Sequence, residues 1–225
     1  LQSYFDYLSQ HMFWVHRLQH LVLHHIGPFL VVLAVPHEVM AAGLPGRLRG
    51  PVRAVLGSRP VRGVYRFLQN PVTASVLFVG LIYFWLTPSI HFIAMLSASF
   101  YKAMNWSMVI DGLLFWWLVV DPRPPEKHGT PRYPTRILML WAVMVPQLVL
   151  GAYIALSGHE IYSAYSVCGR AWPISPLSDQ EYGGLITWIP PGMMSVVGIL
   201  VVLRLWTRSS ERRERAVGPA ELAVE

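Results

Sequence analysis

Long apolar runs alternate along this chain with short stretches rich in arginine, proline and glycine. The first run covers 14–35, long enough as a helix to cross the roughly 30 Å of hydrocarbon in a bilayer at 1.5 Å per residue. Pro28 is predicted to kink it. Further runs at 71–86, 101–120, 137–157 and 183–206 predict four more spans, the last containing Pro190-Pro191-Gly192, which predicts a break or bend that frees backbone carbonyls. Residues 1–13 mix aromatic and polar types and suit an interfacial turn or short helix. The stretch 89–100 is also apolar, but one helix from there to Val120 would overshoot the bilayer, so an interfacial segment is predicted ahead of the third span. The fold class that follows is all-α: a polytopic transmembrane helical bundle of about five spans in a single domain, 1–225, with a tail at 207–225.

Composition supports this reading. Of the 225 residues 54% are hydrophobic and 13% charged, about half the charged share of a soluble domain. The formal charge of +6 raises the question of nucleic acid, but the basic residues fall between the apolar runs, which is how orientation is encoded. Arg47 to Arg66, Arg123 to Arg136 and Arg208 to Arg215 mark three cytoplasmic segments, the first with room for a short surface helix. The loop 158–182 holds one basic residue, Arg170, and is predicted to face outward, so the amino end is out and the carboxyl end in. The single Cys168 excludes an internal disulfide. The chain starts at Leu1 with no signal-peptide pattern, which leaves room for an upstream helix.

Ionisable side chains inside a bilayer are costly and call for a function. His16, His20 and His24 are four apart and form one stripe on the first span, the spacing that brings neighbouring imidazoles within reach of one ion or proton. Two imidazoles on one helix turn suit copper, zinc or haem-type iron. Soft Cu(I) would also accept Met12, Met193, Met194 or Cys168, and His159 lies with Cys168 in the outer loop. The same histidines would serve equally as hydrogen-bonding groups between helices. Asp111 falls at a depth similar to His20 or His24, where a carboxylate either orients a metal-bound imidazole or pairs with a histidine or Arg17. Asp179 and Gln180 precede Gly183 and Gly184 at the start of the fifth span, a pattern for a helix cap followed by close packing. No nucleophile with a positioned base, phosphate loop or carboxylate pair argues for an enzyme.

In order along the chain, His16-x-x-Gln19-His20, Gly112-Leu113-Leu114-Phe115-Trp116-Trp117, Tyr133-Pro134-x-Arg136, Tyr162-x-x-Tyr165 and Ser175-Pro176-Leu177-Ser178-Asp179-Gln180-x-x-Gly183-Gly184-Leu185-Ile186-x-Trp188-x-Pro190 form a specific series. It resembles the CtaG family, the membrane assembly factors of caa3-type cytochrome c oxidase. The resemblance implies a multi-pass protein of the bacterial inner membrane that helps terminal oxidases mature by handling copper, with oxidase subunits as partners; the residues themselves lead us to expect neither haem nor nucleic acid. Ahead of the third span, where the resemblance leads one to expect histidines, this chain has Tyr101 and Asn105.

Two functions follow as expectations. In one, Cu(I) reaches His16 and His20 from the extracytoplasmic face and passes to an oxidase subunit. In the other, the chain is a stably bound accessory subunit or scaffold without its own metal. A haem-binding electron carrier is a third alternative, but it needs histidines on facing helices at matched depth, and only the first span is predicted to supply buried ones.

Overall fold

The computed structural model describes residues 3–34, 43, 45–123, 125 and 130–217. Val35 of the predicted first span, Lys127 of the second basic loop and residues 218–225 of the tail lie outside them. The described residues form α1 (Tyr4–His11), α2 (Phe13–His20), a π-helical stretch (Leu21–Ile26) and α3 (Gly27–Leu33). The basic segment holds α4 (Gly46–Gly57) and α5 (Arg59–Leu68), and the apolar runs give α6 (Pro71–Leu86), α7 (Pro88–Leu96) and α8 (Ala98–Val120). The set closes with α9 (Tyr133–Leu156), the short α10 (Ala164–Cys168) and α11 (Pro176–Val217). Prolines stand in the first turn of α5, α6, α7 and α9, where the missing N–H costs nothing and the fixed φ favours helix entry.

Polarity is arranged inside out. Buried positions include His16, Arg17, His20, His24, His25, His91, Asn105, Asp111, Gln147 and Asp179, while Val72, Leu138, Val149 and Leu156 are exposed. Water would penalise that surface and lipid would not, so the chain is a membrane protein. Among the described residues three helices, α8, α9 and α11, are long and apolar enough to cross a membrane, and α5 with α6 makes a fourth if that pair, bent by 71°, counts as one span. The predicted third span sits inside α8 and the fourth, except for Ser157, inside α9, both helices beginning a few residues earlier. The predicted fifth lies within α11, whose 42 residues extend about 60 Å, far beyond the hydrocarbon. The stretch 89–100 divides between α7 and the first residues of α8, two separate helices that meet at Ser97.

Two backbone expectations need correction. Pro28 does not simply kink the first span: the helix widens ahead of it, and the Gly27 amide bonds to the Val22 carbonyl five residues back. Widening relieves the clash between the Pro28 ring and the carbonyl four residues earlier, that of His24. α8 closes on this point, because a Cβ on Gly112 would run into the His24 carbonyl oxygen and lie 2.9 Å from the Pro28 ring. Nor do Pro190 and Pro191 break α11, which runs through them. Close packing on α9 holds it: a Cβ on Gly184 would strike the Ala155 backbone, and one on Gly151 would lie 2.7 Å from the Trp188 amide nitrogen.

A methyl group at Gly112 meets backbone, which cannot move aside as a side chain can. Gly112→Ala is therefore expected to cost about 1–3 kcal/mol and to lower the thermal unfolding midpoint of the detergent-solubilised protein. Gly80→Ala, with nothing within 4 Å of the added methyl, is the matched control and is expected to leave the midpoint unchanged or slightly raised.

Candidate functional site

The stripe on the first span is buried along its whole length, with His16 against α7 and His20 and His24 against α8. His16 is fully buried, its ring 4.4 Å from that of His20 and 5.1 Å from that of His91 of α7, edge to face. Neither of its ring nitrogens has a hydrogen-bond partner. A buried polar atom left unpaired costs about 1–3 kcal/mol, so an imidazole with two such atoms asks for a ligand or an ordered water. His20 Nε2 lies 3.2 Å from the Asn105 amide oxygen, its Nδ1 unpaired. Because an amide oxygen only accepts, Nε2 carries the proton and Nδ1 keeps a free lone pair.

His91 completes the cluster with the opposite tautomer. Its Nδ1 donates to the Trp85 carbonyl at 3.0 Å, which leaves Nε2 to accept from the Tyr165 hydroxyl at 3.0 Å. An N–H to backbone carbonyl bond of this type fixes the orientation of metal-ligating imidazoles. Among the described residues, however, no three His, Cys, Asp or Glu side chains form a group that could hold a metal ion.

Deeper along the stripe the histidines are paired. His24 Nε2 stands 3.0 Å from Asp111 Oδ2, and His25 Nε2 is 3.0 Å from the Gln147 amide oxygen. Arg17 donates from Nε to the Thr187 hydroxyl at 2.9 Å. Arg17, His20, His24, His25 and Gln147 line a cavity of about 10 Å³, on the order of one water in size. On the other side of His16, the Tyr101 hydroxyl lies 2.9 Å from both Asp6 Oδ1 and Gln19 Oε1 and 2.7 Å from Ser9. Tyr101 and Asn105, the two departures from the expected family pattern, thus stand beside His16 and His20 and offer a phenol and an amide.

The remaining motif residues have structural partners. Asp179 is not the cap of its own helix, as predicted, but of α2: its carboxylate accepts from the Phe13 and Trp14 amides at 3.1 and 3.0 Å and from Arg170 at 3.2 Å. Met12, just ahead of α2, provides no side-chain cap, so the helix's orphan amides take a carboxylate from α11 instead. Gln180 accepts from the Ile161 amide at 2.7 Å and donates to the Ile154 and His159 carbonyls, tying down the outer loop. Gly183 makes room for the Phe13 ring. Trp188 abuts Gly151, and Pro190 lies within α11. Tyr162 stacks on Phe13 at 4.3 Å and donates to the Leu86 carbonyl. Arg136 donates to the Val119 and Asp121 carbonyls at the end of α8, the end that favours a cation. Burial pushes the Asp121 carboxyl up, but hydrogen bonds and charge from Arg123 outweigh it and hold the group below its ordinary value.

Among the sequence-predicted residues, then, His16 and His20 come together, His24 and Asp111 meet one layer deeper, and Asp179 to Pro190 build the frame. Met193 is exposed, Cys168 sits at the end of α10 and His159 bonds to Ser157 at the surface. Sequence reasoning missed His91, because its segment was read as interfacial. A histidine within an apolar run was the available signal.

An all-helical membrane protein with a polar, histidine-lined interior is the class defined by this fold and site. The chain belongs to the family of cytochrome c oxidase caa3 assembly factors (Caa3_CtaG), whose sequence profile matches residues 1–209. Uncharacterized proteins of Mycobacterium bovis and Mycobacterium tuberculosis are each 31% identical to it over 217 residues, covering 89% of this chain and 31% of their own length. One from Mycobacterium leprae is 29% identical over 212 residues, with the same coverage. The chain thus spans under a third of the length of the curated relatives it matches. No solved structure matches it.

Removing the Asp179 carboxylate strands the buried Phe13 amide and the partly buried Trp14 amide, while Arg170 keeps Glu160 and Ser166. Asp179→Ala is expected to destabilise the protein by about 1–3 kcal/mol per unsatisfied group, and Asp179→Asn, which keeps one acceptor oxygen, by less. Thermal unfolding in detergent should rank wild type above the Asn variant and the Asn variant above the Ala variant.

Proposed function

We propose that this chain takes part in cytochrome c oxidase assembly by receiving copper near the extracytoplasmic face of a bacterial inner membrane, holding it at His16 and His20 and passing it to an oxidase subunit. The observation that carries the reading is the His16 imidazole, wholly buried with both ring nitrogens unpartnered and in ring contact with His20 and His91. Imidazole nitrogens suit copper, and two free ones fall short of the four ligands that a structural zinc site takes. Copper here is cargo. His16 and the free Nδ1 of His20 would supply the donors, while Asn105 orients His20 and Tyr165 orients His91. Family membership supports the client and argues against a catalytic role.

In this reading the protein crosses the membrane five times, amino end out and carboxyl end in. The helical run from Phe13 to Leu33, interrupted only by its π stretch, supports the first crossing, and α6 the second. The arginines that cluster between α3 and α6, after α8 and at the end of α11 support the orientation.

A second reading rests on the interhelical pairs His20–Asn105, His24–Asp111 and His25–Gln147, which need no metal. On that basis the chain would be a scaffold or accessory subunit of the oxidase. Copper analysis of the purified protein separates the two. The wild type loaded with Cu(I) is expected to retain copper through gel filtration, and the His16→Ala, His20→Ala double variant to fall to the level of a metal-free control. Equal copper in both would remove these residues from the model, and copper-free protein in equimolar association with active oxidase would favour the scaffold.

A further inference from the structure

The copper reading leaves α4 and α5 without a role. No residue of either helix is buried against the bundle, yet Val55, Leu56, Val64 and Phe67 are each at least 60% exposed. Along α5, at 100° per residue, Arg59, Arg62 and Arg66 fall within an arc of about 60°, with Val61, Val64, Phe67 and Leu68 on the other side. α4 also segregates, with Leu48, Val52, Val55 and Leu56 sharing a face. Six arginines lie between Gly46 and Asn70, and no acidic residue occurs between Glu38 and Asp111. A solvated face would not need such a sorted apolar side, and a protein or nucleic-acid contact through the arginines alone would leave that side in water.

The junction with α6 sets the geometry. α5 meets α6 at 71°, and the bend is held on both sides. Asn70 Oδ1 accepts from the Val72 and Thr73 amides at the start of α6, and Gln69 donates to the Leu114 carbonyl of α8 at 3.1 Å. Arg62 Nε donates to the Gly57 carbonyl, tying α5 to the end of α4. With α6 entering the hydrocarbon, a helix at 71° to it runs close to the membrane plane, where an apolar face can sink among acyl chains and arginines can rise to the headgroups.

We propose that α4 and α5 form an amphipathic anchor lying along the leaflet into which α6 inserts, and that Arg59, Arg62 and Arg66 bind the phosphates of anionic phospholipids there. Complementary charge selects the occupant: the segment is wholly basic, and anionic lipid attracts juxtamembrane basic side chains.

The full chain in nanodiscs of phosphatidylcholine, or of phosphatidylcholine mixed with phosphatidylglycerol, tests this by amide hydrogen exchange. Exchange across 59–68 is expected to slow on the order of tenfold in the anionic discs relative to the zwitterionic ones. The Arg59→Gln, Arg62→Gln, Arg66→Gln variant should lose that difference, while α8 exchanges alike in every sample and reports an intact bundle. Equal exchange in the two lipid mixtures would overturn the proposal, as would an anionic-lipid effect that survives in the triple variant. Slowing that appears only on adding RNA would also overturn it and point to a nucleic-acid contact.

Discussion

Polar groups along the first span must find partners in a place without water, and the bundle is arranged around that requirement. Each unmade bond of a buried group costs about 1–3 kcal/mol, a large fraction of the net stability of a typical domain. The partners come from every side. α8 brings Tyr101, Asn105 and Asp111 to the first span, α9 brings Gln147, α7 brings His91 and α11 brings Thr187 and Asp179. Lipid offers little drive for apolar surfaces to associate, so these bonds and the glycine-mediated close approaches determine how the helices pack.

The backbone of the first span is shaped to the same end. An ordinary α-helix would turn His24 and His25 about 100° apart, yet both are buried, one against α8 and the other against α9. The widened stretch ahead of Pro28 coincides with both residues. Gly112 lets α8 come close enough for Asp111 to reach His24. Pi-helical stretches are found frequently at functional sites, and this one lies immediately below His16 and His20.

Against this well-paired background His16 stands apart. His20, His24 and His25 each lack a partner on one nitrogen only, whereas His16 lacks both. Its neighbours are His20, His91 and the phenols of Tyr101 and Tyr165, so the cluster combines a free donor with groups held in place by bonds to other helices. That separation between a fixed surround and an unsatisfied centre is suited to a cargo that must arrive and leave.

Periodicity and composition were enough to make the helical, membrane-crossing character of this chain legible, because long apolar runs punctuated by arginines have few other physical solutions. The His16, His20 and His24 stripe was legible too, since it depends only on spacing along one helix. What spacing cannot express is contact between segments distant in the chain. Asp179 looked like a cap for the helix it begins and instead caps α2. Pro190 and Pro191 looked like a break, but packing of Gly151 against Trp188 and of Gly184 against Ala155 holds α11 continuous. His91 looked interfacial until α7 folded back over His16. The sequence by itself determined the elements and placed ionisable groups within them, through local propensity and hydrophobicity. Only the tertiary structure decided which of those groups are satisfied, because a hydrogen bond between helices is a property of how they pack.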